Sequence, residues 1–389
     1  MTRHTALRVC HVITGLDVGG AEMMLCKVAS RLQGLGQHHA VVSLTTEGAL
    51  GARIRDAGIE VRALHLGRRY PNPFLLIKLA RWLRELKPDV IQTWLYHADL
   101  VGGVAARLAG RVPVVWGVRQ SNLERSVNKP RTMRLARVGA RLSRGLPSRI
   151  ICCSEASRTA HVRLGYDDAR MAVIPNGFDL TRFRPDPVTR GNLREALGLA
   201  ADTVAIGLFA RFDPQKDHHM FLRAAARMAE FGDKVRFVMA GEHIVETNPA
   251  LAAWIGELGL NGQALMLGRR DDMPALMAAM DIVASSSVGE GFPNVIGEAM
   301  ASGVPCAVTD VGDTAFLAGD TGRVVPAGDD RALAAAWREL IVMGAGARRA
   351  LGAAARARVA ELFDIEKIAA RYGELYERTT ADVRTRGIF

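Results

Sequence analysis

The segment Val173-Ile174-Pro175-Asn176-Gly177-Phe178-Asp179-Leu180-Thr181-Arg182-Phe183-Arg184-Pro185-Asp186-Pro187 separates two series of alternating strand and helix patterns. A β-branched pattern ends at Ile174, Asn176-Gly177 turns the chain, and Phe183 to Pro187 has two prolines and no periodicity, the mark of a connector. On the N-terminal side, short β-branched runs predict strands near residues 8–13, 39–44, 60–64, 89–92, 112–117, 149–152 and 171–174. Helical patterns near 20–33, 48–57, 74–86, 98–109, 130–143 and 155–163 lie between them. On the C-terminal side, strands are predicted near 203–209, 235–240, 264–268, 281–285 and 305–309, and the Ala/Arg-rich tail from about 331 reads as helical. Such alternation implies parallel strands with right-handed crossovers. No repeat of 20–50 residues appears. The expectation is an α/β chain of two Rossmann-like, doubly wound domains, with their strand-to-helix loops lining a central cleft.

The chain has 389 residues, 49% hydrophobic and 23% charged, which excludes intrinsic disorder and collagen-like repeats. No run of 18 apolar residues suggests a spanning helix. Met1-Thr-Arg-His precedes a short apolar stretch that reads as a first strand and not as a secretory signal. Cys10, Cys26, Cys152, Cys153 and Cys306 form no C-x-x-C pair, which points to reduced thiols, and the vicinal pair reads as two small core residues. Of the basic residues, 27 fall in 1–176 against 12 acidic ones, whereas 177–389 holds 24 basic and 28 acidic. The net charge of +11 therefore belongs to the N-terminal half and suggests an anionic partner there, a membrane surface or nucleic acid.

Three segments carry candidate chemistry. Thr14-Gly-Leu-Asp-Val-Gly19-Gly20-Ala-Glu22, between first strand and first helix, either lets backbone amides approach a phosphate or is a tight turn. It is neither a G-x-G-x-x-G fingerprint nor a Walker loop. In Phe209-Ala-Arg211-Phe-Asp-Pro-Gln-Lys216-Asp217, an arginine and a lysine on one loop can converge on a diphosphate, or form a solvated pair. Gly289-Glu290-Gly291-Phe292-Pro293-Asn294-Val295-Ile-Gly-Glu298 places one carboxylate on a loop and another about a turn into the following helix. One carboxylate suits a reacting sugar and the other a ribose diol, and the amides from Phe292 to Val295 suit a phosphate at the helix start.

Taken in order, Gly-Gly-Ala-Glu22, Ile174-Pro-Asn-Gly-Phe-Asp179, Arg211 with Lys216, Gly268-Arg269-Arg-Asp-Asp-Met-Pro274 and Glu290-x7-Glu298 resemble the retaining family 4 glycosyltransferases of the GT-B fold. The resemblance runs from about residue 8 to 375. It implies a hexosyltransferase in which Arg211 and Lys216 neutralise the departing donor diphosphate, Glu290 lies by the donor sugar, Glu298 binds the ribose and the Arg269 loop lines the base. Preplaced positive charge is what a leaving diphosphate requires. No D-x-D pair occurs, so metal independence and no cofactor are expected, with UDP as the nucleotide. One segment departs from the family: Pro113-Val-Val-Trp-Gly-Val-Arg119-Gln120-Ser-Asn122 carries Arg119 where the family often has a His. A guanidinium cannot act as a base, so Arg119 is assigned to the donor sugar or an acceptor phosphate. His97 either faces the cleft or caps a helix; His11 reads as structural, and His218-His219 lack a third ligand for zinc.

Lys78 and Arg81 lie on one predicted helix, and Arg131, Arg134, Arg137, Arg141 and Arg144 recur at helical spacing on another, with Leu135, Val138 and Leu142 offset from them. Basic amphipathic helices favour an anionic leaflet. The expected division is 1–178, a basic acceptor-side domain; 179–365, a nucleotide-sugar-binding domain; and 366–389, a helical tail packing back on the first. The expected function is transfer of a sugar from a nucleotide-sugar to a glycan, lipid-linked, in cell-surface polysaccharide or lipopolysaccharide synthesis. It would be cytoplasmic and peripheral at the inner membrane face, with no nucleic acid bound. The alternatives are a non-hydrolysing sugar-nucleotide epimerase of the same fold and a non-catalytic membrane or nucleic-acid binder.

Overall fold

The computed structural model describes residues 6–67, 73–123 and 129–385. It forms two compact units, Met1–Gly177 with Ile365–Phe389, and Phe178–Asp364. In the first, strands β1 (Arg8–Ile13), β2 (His38–Ser43), β3 (Glu60–Ala63), β4 (Val90–Trp94), β5 (Val114–Val118), β6 (Arg149–Cys152) and β7 (Met171–Val173) make one sheet in the order β3-β2-β1-β4-β5-β6-β7. Every pair is parallel. Between the strands run helices α1 (Gly20–Gly34), α2 (Leu50–Asp56), α3 (Pro73–Leu86), α4 (Tyr96–Ala109), α5 (Pro130–Leu142) and α6 (Glu155–Leu164). Leu79, Leu83, Ala105, Ala136 and Ala140 of α3, α4 and α5 pack with Cys10, Val12 and Ile150 on one face of the sheet.

Helix α5 buries Met133, Ala136, Gly139 and Ala140, while Val138 and Leu142 stand exposed. Small residues let the helix lie close, and a Cβ on Gly139 would come within 2.2 Å of the Tyr166 hydroxyl.

The second unit repeats the plan. Strands β8 (Val204–Phe209), β9 (Val235–Ala240), β10 (Ala264–Met266), β11 (Ile282–Ser285), β12 (Cys306–Thr309) and β13 (Arg323–Val325) pair in the parallel order β10-β9-β8-β11-β12-β13. All six residues of β8 are buried, as a strand covered on both faces requires. Its helices are α7 (Pro187–Ala196), α8 (His218–Ala226), α9 (Pro249–Glu257), α10 (Met273–Ala279), α11 (Asn294–Ala301), α12 (Thr314–Ala318), α13 (Asp330–Val342) and α14 (Gly344–Leu362). The expected connector ends differently from its sequence reading: Asp186 accepts from the Thr189 amide and Pro187 opens α7. A proline without its N–H is well placed in a helix's first turn, so the same residues that interrupt periodicity start an element.

The last helix, α15 (Ile365–Thr385), belongs to the first unit. Its stripe Ile365, Ile368, Ala369, Tyr372 and Tyr376 packs with Met24, Leu25, Val28 and Leu32 of α1. Among the described residues, no helix is long and apolar enough to cross a membrane.

Candidate active site

Strand order reverses between β1 and β4 in the first sheet and between β8 and β11 in the second. At such switch points two strand-end loops diverge and leave a crevice outside the carboxyl ends of the strands. In the second unit the loops in question follow β8 and β11, and they carry Arg211, Lys216 and Glu290.

These two loops are stitched together. The Lys216 ammonium pairs with Glu290 Oε1, which also accepts from the Ser287 hydroxyl at 2.7 Å. Gln215 Nε2 donates to the Gly289 carbonyl at 2.6 Å, the Val288 amide to the Gln215 carbonyl at 2.9 Å, and the Ser286 hydroxyl to the Lys216 carbonyl at 2.8 Å. From below, the Thr309 hydroxyl donates to the Ser287 carbonyl at 2.6 Å. Gly312, at φ 58°, passes so close that a Cβ would meet the Glu290 carbonyl oxygen at 2.1 Å. The Glu290 carboxylate is thus held by its backbone and its partners.

Arg211 remains largely exposed and donates Nε–H to Asp213 at 3.1 Å. Burial pushes the Asp213 carboxyl up, but the Gln215 amide and the cations Arg211 and Lys216 hold it below the usual carboxylate range. The two cations that the sequence reading joined thus pair with different carboxylates, Arg211 with Asp213 and Lys216 with Glu290. Beyond Glu290, Gly291 accepts from the Asp313 amide, and the Phe292 ring lies 6.3 Å from Phe178 and 5.4 Å from Phe363. Phe292 contributes to this region through its backbone, its ring being core. Asn294 opens α11, whose first-turn amides have no intrahelical acceptors, and Val295 and Glu298 follow on the helix.

Arg269 is exposed on the loop after β10. That loop is pinned by the Gly241 amide donating to the Gly268 carbonyl and the Gly268 amide to the Ile244 carbonyl, each 2.8 Å. At Gly241 a Cβ would strike the Ala210 carbonyl oxygen at 2.0 Å, so only glycine lets the loops after β8 and β9 approach this closely. His218 is buried and its imidazole is driven down to about 4 chiefly by burial, so it is neutral. Among the described residues, no group of three His, Cys, Asp or Glu side chains could hold a metal.

In the first unit, Gly19 caps α1 and Gly20 begins it. A Cβ on Gly19 would lie 2.3 Å from a Glu22 carboxylate oxygen, so Glu22 folds back over this turn. Burial raises the Glu22 carboxyl, against its own amide. Arg119 is not a surface residue. Its guanidinium lies 4.6 Å from the centre of the Trp94 ring and donates to Asn176 Oδ1 at 3.0 Å and to the Tyr372 hydroxyl at 2.6 Å. His97, at the start of α4, is half-buried, and burial followed by the nearby Arg131 charge lowers its pKa. His11 is interior and stacks on His39, with ring centres 5.1 Å apart.

Sequence reasoning missed Asp213, Gln215, Ser286, Ser287, Thr309 and Gly312. The only available signal was their nearness to Lys216 and Glu290, because Asp, Gln, Ser and Thr are ordinary turn residues.

Two family models match the chain: Glycosyltransferase Family 4 over residues 18–182, and Glycosyl transferases group 1 over residues 203–342. The chain is 31% identical over 242 residues to the UDP-Gal:alpha-D-GlcNAc-diphosphoundecaprenol alpha-1,3-galactosyltransferase of Escherichia coli, covering 61% of each protein. It is 29% identical over 324 residues to EpsF of Bacillus subtilis (strain 168), covering 78% of this chain and 79% of that one. The match thus spans about three fifths of the first relative and four fifths of the second. Among solved structures, HepE of Anabaena in complex with UDP-glucose superposes with a TM-score of 0.83 at 26% identity, covering 96% of this chain and all of HepE. With one family model on each sheet and GT-B neighbours across nearly its whole length, the chain belongs to the group 1, family 4 glycosyltransferases.

Proposed function

We propose that this protein transfers a hexose, with retention of anomeric configuration, from a UDP-sugar to a lipid-linked glycan at an anionic membrane face. The observation that carries the reading is the Lys216–Glu290–Ser287 cluster beside the α11 N-terminus at the second sheet's switch point. A donor diphosphate would draw Lys216 and Arg211 to itself, freeing Glu290 to orient the sugar hydroxyls. The amides of Gly291, Phe292, Asn294 and Val295 would face the phosphates, with Pro293, which has no N–H, at the helix cap; Glu298 would meet the ribose and Arg269 the base, while Gly19, Gly20, Arg119 and His97 would serve the sugar or acceptor. UDP is favoured because HepE was solved with UDP-glucose and the Escherichia coli relative is named for UDP-Gal. That relative's diphosphoundecaprenol acceptor supports a lipid-linked one here. A membrane face is supported by α3 and α5, where Lys78, Arg81, Arg131, Arg134, Arg137 and Arg141 lie with exposed Phe74, Ile77, Val138 and Leu142, and Arg144 follows α5.

The test uses water as acceptor. UDP-glucose and UDP-galactose are incubated with the enzyme and the released sugar is followed by proton NMR. The α-anomer appearing first, together with UDP, is the expected result. The β-anomer first would overturn retention, and interconversion of the two UDP-sugars without UDP release would favour the epimerase alternative.

A further inference from the structure

We infer that the first unit carries a discrete binding site for the phosphodiester headgroup of an anionic phospholipid, a deepening that rests on the membrane reading above. The site is a cavity of about 460 Å³ lined by Arg107, Arg111, Arg149 and Arg170 with Asp167 and Asp382. It opens at the N-terminal ends of β5, β6 and β7, whereas Gly19 and Arg119 follow the C-terminal ends of β1 and β5, so it lies at the opposite end of the strands. No role in donor or acceptor chemistry accounts for it.

Its charges do not cancel. Arg149 pairs with Asp382 of α15, and Arg170 pairs with Asp167 at 3.1 Å. Among the described residues, Arg107 donates to the Gly145 carbonyl and to no carboxylate, and the Arg111 side chain makes no ion pair or hydrogen bond. Two guanidinium groups are left to face a cavity whose size suits a small ligand. Arg111 also holds a left-handed backbone at φ 62°, a conformation costly to any residue with a Cβ. The guanidinium fork matches two oxygens of a phosphate, whereas the paired carboxylates repel a second anion and limit the site to one headgroup.

Lipid, not free phosphate, is the source favoured by what surrounds the mouth. The neighbour of Arg107 on α4 is Leu108, 48% exposed, and Leu142, 40% exposed, lies three residues before Gly145. Arg107 bonds the Gly145 carbonyl, and Arg84 of α3 bonds the Leu108 carbonyl, so the ends of α3, α4 and α5 meet here. A headgroup in the cavity would set its acyl chains against Leu108 and Leu142, with Arg141 and Arg144 exposed beside them.

The experiment is calorimetric titration of the full-length protein with dihexanoyl phosphatidylglycerol below its micelle concentration, and separately with sn-glycerol 3-phosphate. Wild type is expected to bind the lipid saturably. Arg107→Gln/Arg111→Gln should bind at least tenfold more weakly, and Arg134→Gln/Arg137→Gln on α5 should bind as wild type does. Thermal melts and donor hydrolysis should be unchanged in both variants, which separates the site from folding and from catalysis. No saturable binding, or equal binding by the cavity variant, overturns the site; equal affinity for glycerol phosphate overturns the lipid source. Sedimentation with phosphatidylglycerol vesicles distinguishes the two readings. Vesicle binding lost only in the α5 variant leaves the membrane reading standing without the cavity. Short-chain lipid bound in the cavity with no vesicle binding does the reverse.

Discussion

Lys216 and Glu290 are each other's partners, and under the proposed function a donor diphosphate would compete for the same ammonium. Lys216→Ala should therefore lower kcat for donor hydrolysis by about 10²-fold or more, the usual loss when a preplaced charge is removed from a developing anion. Steady-state kinetics on UDP-glucose would measure it, and an unchanged kcat would exclude Lys216 from the leaving-group site. The sequence singled out both residues but joined Lys216 to Arg211 and Glu290 to Glu298, so the Lys216–Glu290 ion pair was not legible in it. Nor did it make Arg119 legible. Its partner Tyr372 is 253 residues away, and only folding α15 onto the first unit buries the guanidinium. Arg119→Met should destabilise the protein by about 1–3 kcal/mol for each buried polar group it strands, read from urea unfolding. Unaltered stability would mean that the guanidinium is solvated.

Elements were legible where hydrophobic periodicity was strong, and less so where capping chemistry decided. Strands β1 to β12 lie close to their sequence readings, whereas α7 was hidden behind two prolines and β13 was not foreseen. Helix α11 illustrates a packing requirement that periodicity does not encode. A Cβ on Gly297 would lie 1.9 Å from the Phe178 ring. Gly297→Ala should cost about 1–3 kcal/mol in urea unfolding through overpacking, and Phe178→Leu should relieve it in a double-mutant cycle. Strict additivity would contradict the contact. At the start of α4, Asp99 accepts from the Thr93 hydroxyl of β4 at 2.6 Å and from the Gly117 amide of β5 at 3.3 Å. Burial pushes its carboxyl up to about 8, whereas the unfolded carboxyl titrates near ~3.9. The native state thus holds a proton the unfolded state releases, and this stability is lost as pH rises from about 4 through 8. Asp99→Asn mimics the neutral form, so its melting temperature should gain on wild type between pH 5 and pH 8.5. A pH-independent difference would contradict a neutral Asp99.

Across the whole molecule, the two units are built alike and charged differently. The excess of basic residues falls in 1–176, the stretch that supplies nearly all of the first unit, and its arginines cover α5. The second unit carries the glutamate segment and the loops stitched around it. This division was legible in the sequence as a charge asymmetry on either side of residue 176, because net charge needs no knowledge of contacts. The convergence of Asp213, Ser287 and Thr309 on one site was not, since it depends on the strand order β8-β11-β12. The central claim is that the second unit binds a nucleotide-sugar donor through Glu298, Lys216 and Glu290. Calorimetric titration with UDP, GDP and ADP in metal-free buffer, for wild type and Glu298→Ala, tests it most directly. Micromolar binding of UDP, weakened at least tenfold by the substitution, is the predicted result; no binding of any nucleotide, with or without added magnesium, would contradict it.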